Sequence, residues 1–226
     1  MNRSSKNRLT EKEQFLFPGD TLFDKVARAV CQAGCLPRKE LFEAWEVARR
    51  VRRRFRGGRV IDLACGHGLT AALLLLLDDS SPQALAVDCT IPASAHRLHD
   101  VLVESWPRLK DRIKFVEARV DEIALEPADL VVSVHACGGL TDQVLEQAMR
   151  AEARLAVLPC CHNLGEAEQG GLGGWLDGSL AVDVSRANWL RNNGYRIFTQ
   201  QIPGDITPKN RLLMGEPSKA TIAPAL

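Results

Sequence analysis

Val60-Ile61-Asp62-Leu63-Ala64-Cys65-Gly66-His67-Gly68-Leu69-Thr70 is the stretch whose reading decides the fold. A short apolar run ends in small residues and two glycines, and an apolar stretch of helical length follows to about Leu77. This is a strand turning into a helix, the opening of a βαβ unit. Gly66 and Gly68 let the backbone approach a ligand more closely than any side chain permits, and the helix beginning after Gly68 aims free N–H groups at an anion. Nucleotide-like ligands fit this physics.

Downstream the alternation continues. The patterning predicts strands at 84–88, 113–117, 129–134 and 154–158, with helices at 93–106, 141–150 and 183–193. Two further runs, Tyr195 to Ile202 and Arg211 to Met214, are joined by PGDITPKN, which is too short for a helical crossover. They are expected to pair antiparallel. The prediction is an α/β, Rossmann-like, seven-stranded, mostly parallel sheet ending in an antiparallel hairpin, the class I methyltransferase plan rather than the dehydrogenase one, whose sheet continues with parallel crossovers.

Upstream, apolar residues recur at helical spacing from Leu22 to Val30 and from Leu36 to Ala48, and Gly57-Gly58 reads as a helix stop. The expected organisation is a mobile tail at 1–14, a helical extension at 15–58, the main domain at 59–216 and a C-terminal tail at 217–226. With 226 residues, 46% hydrophobic and 25% charged, the composition is that of a globular chain and excludes disorder as the main state. Seven cysteines, two of them adjacent, and no secretory signal pattern point to a reducing, cytoplasmic setting. The longest apolar run is far shorter than the roughly 20 residues of a membrane span. The formal net charge is only +1, yet Arg49, Arg50, Arg52, Arg53, Arg54, Arg56 and Arg59 form a block suited to phosphate contacts with an RNA partner, with a solvated helix face as the alternative.

A dinucleotide fingerprint wants a third glycine where this chain has Leu69-Thr70-Ala71, which favours S-adenosylmethionine as the cofactor. Asp88, closing the second strand, is placed to accept both hydroxyl protons of a ribose, and Asp62 to face the ligand's ammonium. Ala64, Cys65 and Cys89 flank these positions and complete the candidate pocket. As thiols, Cys31, Cys35, Cys65 and Cys89 read as packing residues.

A second constellation stands at the ends of the fourth and fifth strands: His135-Ala136-Cys137-Gly138-Gly139-Leu140-Thr141-Asp142 and Pro159-Cys160-Cys161-His162. In a doubly wound sheet these ends adjoin beside the crevice. Together with Ile206-Thr207-Pro208-Lys209-Asn210-Arg211, the pattern resembles a methyltransferase-domain family that includes tRNA acceptor-stem ribose 2′-O-methyltransferases and methyltransferase-like proteins. The resemblance covers about residues 38–216 and implies S-adenosylmethionine chemistry on an RNA acceptor. The tRNA-specific members carry appended zinc-binding modules that this sequence lacks. After the third strand, Arg119 stands where such folds present an acidic residue to the adenine amino group, with Val120 beside it.

Methyl transfer to an alcohol requires alignment and removal of a proton. His135 is the candidate base or substrate orienter, also bordering the cofactor, with Asp142 positioning it or the substrate; Cys160 and His162 complete the candidate catalytic set. Cys137, Cys161, Lys209, Asn210 and Arg211 are candidate substrate contacts. Cys137 and Cys160 could alternatively act as a covalent-addition pair. The adjacent cysteines are unlike the usual C-x₂₋₄-C spacing of zinc sites, so no metal is assigned. Asn163 to Gly178, with six glycines and Trp175, is the candidate lid. A protein or small-molecule acceptor, or a non-catalytic binding module retaining the cofactor fold, are the remaining readings.

Overall fold

The computed structural model describes residues 1–218. Strand β1 (Val60–Leu63) is buried along its whole length, as a central parallel strand covered on both faces must be. It pairs in parallel with β2 (Ala84–Asp88) and β4 (Leu130–Ser133). With β3 (Ile113–Glu117), β5 (Arg154–Val157), β6 (Tyr195–Gln201) and β7 (Arg211–Pro217), the sheet order is β3-β2-β1-β4-β5-β7-β6. Strand β7 runs antiparallel to both β5 and β6, so the other six strands point one way. The strand order reverses between β1 and β4, and a doubly wound sheet opens a crevice at that place, beyond the carboxyl ends. The expected seven-stranded plan and its closing hairpin are both present.

Helices α1 (Leu22–Ala33), α2 (Arg38–Arg54), α3 (Leu69–Leu77) and α4 (Ala93–Ser105) cover one face, and α5 (Gly139–Arg150) and α6 (Gly178–Asn192) the other. Helix α3 is apolar nearly all round because it is sandwiched between β1, β2 and α2. The N-terminal helices share a continuous core with that face of the sheet.

Residues 1–14, expected as a tail, pack on the body instead. Leu9 is fully buried and donates its N–H to the Leu36 carbonyl at 2.8 Å. Arg3 pairs with Asp205, and a 3₁₀ turn at Glu11–Leu16 follows a Thr10/Glu13 capping box. A single apolar anchor in a polar stretch has no period, which is why the pattern concealed it. Helix α2 ends before Gly57-Gly58, because Phe55 turns extended and buries its ring edge-on to Phe198 at 6.3 Å. Helix α6 starts five residues earlier than expected, where Asp177 accepts the N–H groups of Ser179 and Leu180. Of the tail expected at 217–226, Pro217 closes β7 and residues from 219 onward lie outside the described residues.

Candidate active site

The turn after β1 is pinned to β2 on two levels. Cys65 donates its N–H to the Val87 carbonyl at 3.0 Å, and Gly66 donates to Asp88 Oδ2 at 2.9 Å. Both glycines have positive φ, but for different reasons. A Cβ on Gly66 would meet nothing within 4 Å, so open space lies beside it, whereas one on Gly68 would fall 2.8 Å from the Phe115 ring. Gly66 leaves room for a ligand; Gly68 leaves room for the sheet. A crevice of about 400 Å³ opens here, lined by Ala64, Cys65, Gly66 and Asp88 and, across it, by His135 and Cys137. Its size falls within the range of small-molecule sites, and a half-buried carboxylate beside glycine backbone is a donor and acceptor set that S-adenosylmethionine fits.

Four other candidates for the cofactor lie elsewhere. Asp62 is buried beneath the turn and accepts the Ala71 N–H at 3.1 Å, so it holds the start of α3 rather than lining the crevice. Burial, with Asp88 adding to it, pushes its carboxyl up to about 7. Cys89 is exposed beyond β2, Arg119 is exposed and paired with Asp121 at 3.0 Å, and Val120 is buried in the core. None of these lines the crevice.

On the acceptor side the structure separates residues that the sequence grouped. Asp142 is held by Arg186 through two bonds of 2.6 and 2.9 Å and does not line the crevice, so it does not position His135 there. The His162 ring is buried, with Nε2 2.7 Å from Asp183, and Asp183 also receives Arg211 at 2.6 Å. Asn210 donates its side chain to the Ile202 carbonyl at 2.9 Å, and the Lys209 N–H bonds the Thr207 hydroxyl. These contacts fasten the hairpin loop, which accounts for Asn210 and Arg211 without a substrate. Trp175 in the glycine-rich segment is 86% exposed.

The thiols do converge. Cys137 Sγ and Cys160 Sγ are 3.0 Å apart, and with Cys161 all three sulfurs lie within 4.8 Å of one another. Burial and the Cys137 contact raise the Cys160 thiol well above its ordinary range. This disfavours Cys160 as the thiolate nucleophile of the covalent-addition pair.

Glu40 and His67 are titratable residues of the crevice that sequence reasoning did not assign to the site; Glu40 is the one beside His135. It sits in the first turn of α2 and lines the crevice with His135. Burial raises its carboxyl, and the nearby His135 pulls in the opposite direction. A glutamate at a helix start is already explained by the helix dipole, so nothing in the pattern marked it.

The arginine block is largely consumed within the chain. Arg49 and Arg50 pair with Glu46, Arg54 with Glu216, and Arg59 with Asp129 at 2.8 Å. Arg52 is buried, donating to the Leu74 carbonyl and the Ser81 hydroxyl and facing Asp78 at 3.3 Å. Arg53 and Arg56 are exposed, Arg56 standing 3.7 Å from Asp78. The block leads into the amino end of β1, whereas the crevice lies at the carboxyl end.

Comparison with known proteins follows the same lines. A family model described as a methyltransferase domain matches residues 40–167, more than half of the chain. No curated protein matches it. Among solved structures, the chain is similar to an O-methyltransferase family protein from Burkholderia thailandensis, with a TM-score of 0.53, 19% identity, and coverage of 96% of this chain and 66% of that one. It is similar to the S-adenosylmethionine-dependent methyltransferase SibL, with a TM-score of 0.53, 16% identity, and coverage of 94% and 66%. It also resembles the B. subtilis m1A22 tRNA methyltransferase TrmK, with a TM-score of 0.51, 14% identity, and coverage of 76% and 65%. At these identities the likenesses show the fold, and the family match supplies the chemistry: the chain belongs to the methyltransferase-domain family and is an S-adenosylmethionine-dependent methyltransferase.

Proposed function

We propose that the acceptor is RNA and that His135 removes the acceptor's proton. The observation that carries the site is the shared crevice: Gly66 and Asp88 on the β1–β2 side face His135 from the end of β4. S-adenosylmethionine, when bound, supplies a methyl group on a sulfonium. Gly66 admits the ligand, Asp88 accepts its hydroxyl protons, and His135 takes the proton that an alcohol nucleophile must lose. Glu40, which lines the same crevice and feels the charge of His135, positions the imidazole. Support for RNA comes from the His135–Asp142, Pro159–His162 and Ile206–Arg211 motifs, and from fold neighbours that include a tRNA methyltransferase. A smaller acceptor draws support from the internal pairing of the arginine block.

The test is methyl-label transfer from S-adenosylmethionine into extract of cells lacking the protein, with RNA, protein and small-molecule fractions counted separately. Label in RNA deposited by the wild type is expected; label in the other fractions alone overturns the acceptor. Asp88→Ala serves as control. Losing a hydrogen bond to a charged group costs about 1.5–3 kcal/mol, so cofactor affinity measured by calorimetry is expected to fall roughly 10- to 100-fold.

A further inference from the structure

We infer that Cys137, Cys160 and Cys161 form a three-thiolate site for a divalent cation of the zinc class. Three sulfurs at about 2.3 Å from one tetrahedral ion sit about 3.8 Å from each other. Here the three sulfurs already lie within 4.8 Å of one another, with Cys137 and Cys160 at 3.0 Å, so small side-chain rotations suffice. The backbone brings them together independently of any ion. Strands β4 and β5 are parallel neighbours in register from Leu130↔Arg154 to Ser133↔Val157, which carries the segments after them side by side. The Gly138 N–H then bonds the Cys161 carbonyl at 3.1 Å, tying the two loops at the thiols themselves. Cys137 and Cys161 are exposed and Cys160 half-buried, so an ion has a path in.

The chemistry balances without a redox partner. A dication binds three thiols, three protons pass to solvent, and a thiolate–metal bond forms at each sulfur. The chain supplies three ligands, leaving the fourth position of a tetrahedral ion to water or substrate, as in catalytic rather than structural zinc sites. His162, whose Nε2 is held by Asp183, is not among the ligand atoms that cluster with the three sulfurs. Because Cys137 also lines the crevice, the ion stands on the acceptor side of the methyltransferase site.

Cadmium is the probe. Titrated into the reduced full-length chain, it is expected to bind at about one equivalent and to produce the ultraviolet thiolate-to-cadmium charge-transfer band. Cys137→Ser, Cys160→Ser and Cys161→Ser are each expected to weaken binding at least tenfold and to dim the band, while Cys89→Ser, on an exposed thiol outside the cluster, changes neither. Far-ultraviolet circular dichroism checks that each variant is folded, and the wild-type titration stands whether or not they are. No band in the wild type, or a band indifferent to all three substitutions, overturns the site. The readout involves no methyl transfer, so its failure is separate from failure of the RNA reading.

Discussion

Asp62 is a carboxylate held out of water with one backbone donor, and its charge is costly there. Its folded value of about 7 lies above the ordinary 3.8, so between these the native state holds a proton that the unfolded chain has released. Stability from this group is therefore lost as pH rises through that window. Chemical denaturation of the cofactor-free protein is expected to show wild type weakening from about pH 4 to 7 relative to Asp62→Asn; parallel profiles would contradict it. His135 and Glu40 give the complementary prediction for catalysis. His135→Ala is expected to bind S-adenosylmethionine normally and to lose methyl transfer by about 10²- to 10⁴-fold. Glu40→Gln is expected to lower kcat roughly tenfold with the cofactor KM unchanged, because misplacing a base slows chemistry without emptying the site. An equal rise in KM would mark Glu40 as a cofactor contact instead.

Helix α2 shows what element packing does to a charge pattern. Seven arginines in eleven residues read as an RNA-binding face, yet most are distributed over internal acids and carbonyls. Arg52 goes deepest: burial pushes its guanidinium down to about 10, with Asp78 holding the charge in place. Arg52→Ala leaves Asp78 buried without that partner, and removing one member of a buried pair costs about 3–5 kcal/mol. Urea unfolding is expected to show a loss of that order; a loss below about 1 kcal/mol would place the residue among ordinary surface arginines. The helix also connects the two ends of the molecule. Its first turn brings Glu40 to the crevice, while Arg54 lies 14 residues on, about 21 Å along the axis.

For the whole molecule, that separation bears on how the proposed RNA acceptor would be held. Each phosphate neutralised contributes about 0.9 to the slope of log affinity against log salt for duplex and about 0.7 for single strands. Arg53, Arg54 and Arg56 of the block are exposed, and Arg54 is taken up by Glu216, which leaves Arg53 and Arg56. Replacing both with Gln is therefore expected to flatten the slope of RNA binding by at most about 2. A larger change would mean that the internal pairs open to meet the RNA.

The sequence by itself determined the β1 turn, the alternation of strands and helices and the closing hairpin, because each depends on local physics: apolar period, glycine at a tight turn, and a connection too short to cross over. Gly66 and Asp88 were legible for the same reason, being attached to strand ends whose pairing the pattern implies. What meets what across the crevice was decided only by tertiary structure. Glu40 and His135 come from elements far apart in the chain. Asp142 faces Arg186 because α6 packs beside α5, and three thiols meet because β4 and β5 lie side by side. Spacing along a chain carries no information about such neighbours until strand order has placed them, which is why the arginine block looked free and the meeting of the three thiols was not legible.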